Sequence, residues 1–158
     1  MKTLVLGLGN ILLEDEGVGV RVIERLQADY IFPDDVLVLD GGTLGLDLLA
    51  YIEDYSHIVI VDAVRANKEP GTLVRLVNEE IPAFLGPKVS PHQVGLQDLL
   101  ALAKLRGHFP DEVILWGIQA DIFEPGLELN PAIAAQVEPL CARVIDELNR
   151  WGIQVTKK

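Results

Sequence analysis

Apolar residues follow two patterns along this chain: short continuous runs, and runs with the three-to-four-residue spacing of a helix. The continuous runs are bounded by turn residues and predict five strands, Thr3–Leu8, Val36–Leu39, Ile58–Val61, Leu73–Val77 and Val113–Ile118. Between the first three strands, two sets of apolar residues recur at helical spacing: Val18, Val22 and Leu26, then Leu44, Leu48 and Ile52. Asp15 is a suitable cap for the first of these helices, which should end near Gln27.

Two further helices are predicted in the second half of the chain. Ser90-Pro91-His92-Gln93 has the residues of a helix start, with a capping serine, a proline at the first helical position and a glutamine that closes a capping box. This helix should end at Gly107, and the segment before it, Glu79 to Val89, is predicted to be irregular. The last helix should begin at Asn130-Pro131 and bend at Pro139.

Alternating strands and helices predict the α/β class. The crossover helices imply parallel strands between two helical layers, an α/β/α sandwich. The connection from Ala63 to Thr72 is too short and turn-rich for a crossover helix, so Leu73–Val77 should be an antiparallel edge strand. We find no repeat or linker and expect a single domain over residues 1–158.

Composition narrows the class of function. The 158 residues carry a net charge of −11, which opposes binding to nucleic acid. No apolar run approaches the ~18 residues of a membrane span, and no signal peptide precedes the first strand. A lone cysteine, Cys141, cannot form an intrachain disulfide, so we expect a cytoplasmic protein.

Three chemically active residues share one predicted position. Glu16, Asp62 and His92 each follow a strand or begin a helix, and in an open parallel sheet these points line one crevice. Asp40 and the turn from Gly7 to Asn10 reach the same edge. Two carboxylates and an imidazole suit a divalent transition metal with open coordination positions. Each residue also has a plain structural alternative, as a helix cap or a strand-end hydrogen-bond acceptor.

Two other chemistries receive little support. The turn Gly7-Leu8-Gly9 resembles part of a dinucleotide-binding motif, but Leu12 stands where the third glycine belongs and several carboxylates follow. A nucleophilic cysteine is not favoured either, because Cys141 lies among the apolar positions of the last helix.

The longest motif, Gly7-x-Gly9-Asn10-x-Leu12-x-x-Asp15-Glu16-Gly17-x-Gly19, resembles that of the hydrogenase maturation endopeptidases. Further segments resemble the same family in the same order: Asp40-Gly41-Gly42-Thr43, Val61-Asp62-Ala63, Ser90-Pro91-His92 and Gly117-Ile118-Gln119. The resemblance runs over nearly the whole chain. It implies a mixed five-stranded sheet with strand order 2-1-3-5-4, in which strand 4 is antiparallel.

The resemblance also implies a function. Members of the family cut a C-terminal extension from the large subunit of nickel–iron hydrogenases, and Glu16, Asp62 and His92 would contact nickel carried by that substrate. No organic cofactor is implied. Asp40, Glu16 and Asp62 are then the candidate catalytic carboxylates, as for an aspartic-type endopeptidase. Gly41, Gly42, Thr43 and Asn10 are the candidate substrate-binding residues.

Three alternatives stay open at the level of the sequence. The first is a metallohydrolase with its own resident metal, and the second is a non-catalytic chaperone of the immature subunit. The third, a dinucleotide-binding oxidoreductase, depends on the glycine turn alone. We expect a monomer, since no long apolar stripe remains once the helices are assigned.

Overall fold

The computed structural model describes residues 2–9, 17–42, 45–64, 66–85, 95–119 and 131–158. Its strands are β1 (Thr3–Leu8), β2 (Tyr30–Ile31), β3 (Val36–Gly42), β4 (His57–Val64), β5 (Leu73–Val77), β6 (Glu112–Gln119) and β7 (Thr156–Lys157). Its helices are α1 (Val18–Asp29), α2 (Leu48–Asp54), α3 (Glu80–Leu85), α4 (Leu96–Leu105), α5 (Pro131–Ala134) and α6 (Val137–Arg150). A short 3-10 turn, Gly45–Asp47, leads into α2.

The main sheet has five strands in the order β3-β1-β4-β6-β5. Pairs β1–β3, β1–β4 and β4–β6 are parallel, and β5 is antiparallel to β6. This is the predicted order 2-1-3-5-4, renumbered because the short strand β2 precedes β3, and the α/β fold class is confirmed. The small antiparallel ribbon of β2 and β7 was not predicted.

Alternate residues of the central strands enter two separate cores. Leu4, Leu6, Ile58 and Ile60 pack with α2, α3 and α4 on one side of the sheet, which we call the α4 face. Val5, Val59 and Val61 pack with α1 and α6 on the other side, the α1 face. Because both faces are covered, strands β1 and β4 read as continuous apolar runs in the sequence.

The chain changes direction between β1 and β4. It leaves β1 through α1 on one face and reaches β3 at the sheet edge, then returns through α2 on the other face to β4. The carboxyl ends of β1 and β4 therefore form a topological switch point, where open α/β sheets hold their ligands.

The N-cap of helix α4 lies five residues after the predicted capping position, Ser90. Gly95 has an extended backbone and is its N-cap, and the Gly95 N–H donates to Asp98 Oδ2 at 3.0 Å. The predicted start of this helix at Ser90 is therefore wrong. Its buried residues are Leu96, Leu99, Leu100 and Ala103. The Ser90–Gln93 segment itself lies outside the described residues, as do Glu16 and the predicted cap Asp15. Helix α1 begins at Val18, directly after its N-cap Gly17.

Two prolines occupy first turns of helices. The predicted last helix is interrupted between Ala134 and Val137, one turn before Pro139, so the predicted bend takes the form of a break and Pro139 becomes the third residue of α6. Pro82 likewise is the third residue of α3, within a segment predicted to be irregular. A first-turn N–H has no partner inside its helix, so a proline there removes no hydrogen bond.

None of the helices in the described part of the chain has the length and apolar character needed to cross a membrane.

A buried carboxylate joins α6 to strands β5 and β6 of the sheet. Glu147 is only 5% exposed, and it accepts hydrogen bonds from Arg75 Nε on β5 at 2.7 Å, Trp116 Nε1 on β6 at 2.8 Å and Arg150 Nε at 3.1 Å. Burial acts to raise the pKa of Glu147, but the donated hydrogen bonds outweigh it and the pKa lies below its ordinary value.

Replacing Glu147 with glutamine is expected to lower the free energy of unfolding by about 2 kcal/mol at pH 7, because charged hydrogen bonds are lost at a buried site. Since the folded-state pKa is lowered, the carboxylate stabilises the protein above the unfolded-state pKa and ceases to do so as the pH falls through the folded-state value. Urea unfolding of wild type and variant should therefore differ at pH 7, and the difference should shrink below about pH 4 as the pH falls toward the lowered folded-state pKa.

The matched control is Glu138→Gln, which removes an exposed ion pair between Glu138 and Arg25. Exposed pairs contribute about 0–1 kcal/mol, so this variant should unfold close to wild type. An equal loss in both variants, or a Glu147→Gln difference that does not depend on pH, would contradict the assigned role.

Candidate active site

Asp62 lies at the switch point, inside the carboxyl-terminal end of β4. The strand continues to Val64, beyond its predicted end at Val61, because residues 62–64 pair with Gly117 to Gln119 of β6. Val61 enters the α1 face, so the alternation of the strand places Asp62 on the α4 face. Asp62 Oδ1 accepts the N–H of Ala63 at 2.8 Å, and the side chain is half-buried.

The position opposite Asp62 carries no side chain. Gly117 is its register partner on β6, and a β-carbon there would lie 2.8 Å from Val64 Cγ1. Glycine therefore lets Val64 pack against β6 and leaves the neighbouring strand open beside the Asp62 carboxylate.

Two glycines bring the start of α1 against the same point of the sheet. A β-carbon at Gly19 would fall within 3.0 Å of the carbonyl oxygens of both Leu8 and Val61, and one at Gly7 would fall as close to Gly19 and Ile23. These glycines of the first motif therefore serve helix–sheet packing inside the protein.

Asp40 reaches the same edge of the sheet but on a different strand and face. It is the register partner of Gly7 and lies inside β3, which extends to Gly42. Val38 enters the α1 face, so Asp40 alternates onto that face too, and its side chain is exposed. Because β1 lies between β3 and β4, the backbones of Asp40 and Asp62 are two strand spacings, or ~10 Å, apart.

Gly41 and Gly42 form an irregular end to β3. The register with β1 shifts after Gly7, so that Leu8 pairs with Gly42. A β-carbon on Gly41 would lie 2.7 Å from Leu6 Cδ1, so this residue packs on the sheet, whereas Gly42 adopts the left-handed φ of 42°. Gly42 is therefore the residue at which the chain turns away from Asp40.

The structure brings part of the predicted site together. Asp40, Asp62, Gly41 and Gly42 lie at one edge of the sheet. Glu16, His92, Thr43 and Asn10 fall outside the described residues. Among the residues that are described, no three histidine, cysteine or acidic side chains are grouped so that they could hold a metal ion.

Gln119 is a positioning residue that the sequence named only within the family segment Gly117-Ile118-Gln119, with no role assigned to it. Its Oε1 accepts the N–H of Ala66 at 2.6 Å, and its backbone carbonyl accepts the N–H of Gly71 at 2.9 Å. It therefore holds both ends of the loop that follows Asp62. From the residues alone, the signal was a polar side chain at the end of an apolar strand, which is too common to indicate this role.

Comparison with known proteins identifies the family. The family model described as hydrogenase maturation protease matches residues 20–147. The chain is 43% identical over 155 residues to the hydrogenase 2 maturation protease of Escherichia coli (strain K12), covering 98% of this chain and 94% of that protein. It is 44% identical over 158 residues to the hydrogenase expression/formation protein HupD of Rhodobacter capsulatus, covering 99% and 75%. The chain belongs to the hydrogenase maturation protease family.

Solved structures agree with the assignment. The hydrogenase maturating endopeptidase HybD from E. coli superposes with a TM-score of 0.94 at 42% identity and covers 100% of this chain and 98% of its own. The [NiFe] hydrogenase maturation protease HycI from Thermococcus kodakarensis gives 0.75 at 25% identity, covering 94% and 92%. This maturation protease is therefore a peptidase, and the oxidoreductase and non-catalytic chaperone alternatives are set aside.

Proposed function

We propose that this maturation protease removes a C-terminal extension from the large-subunit precursor of a nickel–iron hydrogenase after nickel has been inserted. The observation that carries the proposal is the 43% identity to a hydrogenase 2 maturation protease over 98% of the chain. The position of Asp62 at the switch point of the sheet supports it, because ligands of this fold class bind there.

The nickel of the precursor is the proposed recognition signal. Asp62 would contact it together with Glu16 and His92, a donor set of two carboxylates and one imidazole that suits this metal. Glu16 directly precedes Gly17 at the start of α1, and His92 lies three residues before Gly95 at the start of α4. Both helix starts face the carboxyl edge, because each helix runs back toward the amino end of the next strand.

A site with three protein ligands would bind free metal weakly and complete its coordination shell with a metal that the precursor presents. Binding of nickel-loaded precursor then depends on the metal as well as on the polypeptide, which makes cleavage conditional on nickel. The metal would polarise the scissile carbonyl or activate water. Asp40 and the backbone of Gly41, Gly42 and Thr43 would position the extension, with Asn10 as a further contact.

Of the candidate carboxylates, the two that the structure describes, Asp40 and Asp62, do not form the paired dyad of an aspartic protease. Two carboxylates that share a proton lie about 3 Å apart. Asp40 and Asp62 are separated by β1 and alternate onto opposite faces of the sheet. In an aspartic-type mechanism, Asp40 and Asp62 would therefore act as single carboxylates and not as a pair.

Purified wild-type protein should cut the nickel-loaded precursor and leave the nickel-free precursor intact. The physical reason is that the metal contributes binding energy that the polypeptide alone does not supply. Mass spectrometry of the large subunit before and after incubation measures the loss of the extension directly. Equal cutting of both precursors, or cutting of neither, would contradict the proposal.

Metal analysis separates this proposal from a peptidase with a resident metal. Protein purified and dialysed should hold far less than one divalent ion per chain. A stoichiometric ion that survives dialysis would favour a resident catalytic metal.

We further propose that the protein works as a monomer in the cytoplasm. The exposed large apolar residues of the described chain, Ile31, Leu46 and Leu105, belong to different elements, and the net charge of −11 opposes self-association. The lone cysteine is consistent with a reducing compartment. Light scattering of the eluting protein at several concentrations tests the oligomeric state.

A further inference from the structure

Strand β3 is an outer strand of the sheet, an edge strand, and its carboxyl-terminal end leads to the candidate active site. It pairs with β1 on one side, and in the described part of the chain no strand pairs with its other side. An unpaired strand edge presents a row of N–H and carbonyl groups that can pair with another polypeptide.

The register fixes which backbone groups face outward. In the parallel ladder, the N–H of Thr3 on β1 donates to the carbonyl of Asp35 at 3.0 Å. Along β3, the backbone groups of every second residue counted from Asp35 therefore face β1. The residues of β3 whose backbone groups face β1 are Leu37 and Leu39, and those whose groups face outward are Val36, Val38 and Asp40.

Side-chain contacts agree with this assignment. Gln27, on the neighbouring helix α1, donates from Nε2 to the carbonyl of Val38 at 3.1 Å, so that carbonyl does face away from β1. The N–H of Val36 donates to the carbonyl of Pro33 at 3.0 Å. Within the described residues, the N–H of Val38 and both backbone groups of Asp40 have no hydrogen-bond partner.

The two edges of the sheet are not protected equally. On the other outer strand, β5, the N–H of Val77 donates to Glu80 Oε1 at 2.8 Å, and the strand carries the charged residue Arg75. Charged residues and capping contacts of this kind prevent unwanted pairing of edge strands. Strand β3 has no lysine, arginine or proline, and its unpaired groups lie at the end nearest the site.

We propose that the C-terminal segment of the precursor adds to β3 as a further strand, bonding to the N–H of Val38 and to both backbone groups of Asp40. This inference rests on the proposed function. The segment to be cut must reach the carboxyl edge of the sheet in an extended form, and a strand laid along β3 arrives there beside Asp40. A second copy of this chain is a poorer occupant, since two chains of charge −11 repel each other.

The test is steady-state cleavage of nickel-loaded precursor by Val38→Pro. Proline removes the outward N–H of Val38 without breaking the ladder to β1, which uses the flanking residues. Loss of one backbone hydrogen bond should raise KM about fivefold with little change in kcat. Val38→Thr retains the N–H and should keep the wild-type KM.

Leu73→Pro is the matched control at the other edge, because Leu73 is the first residue of β5, where proline is tolerated. It should also leave KM unchanged. If Val38→Pro does not fold, hydrogen exchange of the Asp40 amide in wild-type protein decides. Nickel-free precursor keeps its extension, and at a concentration that saturates its binding, as measured by calorimetry, it should slow this exchange.

An unchanged KM in a folded Val38→Pro variant, or unslowed exchange at Asp40, would overturn strand addition and leave the proteolytic function intact. If wild-type protein cuts no precursor at all, the proposed function itself fails. Concentration-dependent dimers that Val38→Pro abolishes would assign the edge to a second copy instead.

Discussion

Replacing Asp62 with asparagine is expected to reduce cleavage of the nickel-loaded precursor by at least ~100-fold. Even residues that only support a metal ligand change activity 10- to 100-fold, so the loss of a ligand's charge should do at least as much. The fold should be retained, because the asparagine Oδ1 can still accept the Ala63 N–H that Asp62 accepts at 2.8 Å. Mass spectrometry of a time course gives the rate, and circular dichroism reports the fold.

Asp54→Asn is the control for this change. Asp54 ends α2 beside the amino-terminal ends of the parallel strands, away from Asp62, and forms an exposed ion pair with Lys2. The same loss of charge there should leave the cleavage rate at the wild-type level. A well-folded Asp62→Asn variant that cleaves as fast as wild type would remove Asp62 from the site.

Replacing Gly19 with alanine is expected to destabilise the protein by about 3 kcal/mol. Helix propensity alone gives the opposite sign, since alanine in a helix is favoured over glycine by roughly 1 kcal/mol. At Gly19 the added β-carbon would meet two backbone carbonyl oxygens within 3.0 Å, and backbone atoms of a packed sheet cannot move aside without cost. Urea unfolding measures both the sign and the size of the effect.

Gly107→Ala provides the comparison. Gly107 has a φ of 77° and open space around its hypothetical β-carbon, so alanine there should cost only the ~1–2 kcal/mol of a left-handed backbone. A Gly19→Ala variant more stable than wild type would show that helix propensity prevails and that the close packing does not constrain the start of α1.

Much of the sheet could be predicted from the sequence because it is covered on both faces. Runs such as Ile58–Val61 remain apolar at every position, so each strand is visible without knowledge of its partners. The strand order is different, since several orders would bury the same runs, and it came from the resemblance to a family. The antiparallel direction of Leu73–Val77 could be deduced from the short connection alone.

The errors have different physical origins, one local to a helix start and one in a contact between distant parts of the chain. Ser90 and Gly95 both suit the start of a helix, and only Asp98 bonding to the Gly95 N–H selects the second. Gly7 is required because Gly19 packs on it, a contact that no local pattern reports. The opposite orientations of Asp40 and Asp62, however, follow from the alternation of each strand and could have been deduced.

The position of β5 in the sheet affects the order in which the protein is completed during synthesis. Strand β5 pairs only with β6 among the described strands, and β6 follows it about 40 residues later in the chain. A ribosome adds roughly 5–20 residues each second, so Leu73–Val77 waits about 2–8 s for its partner. β1, β3 and β4 can pair during that interval, which gives the incoming strand β6 a preformed edge to join.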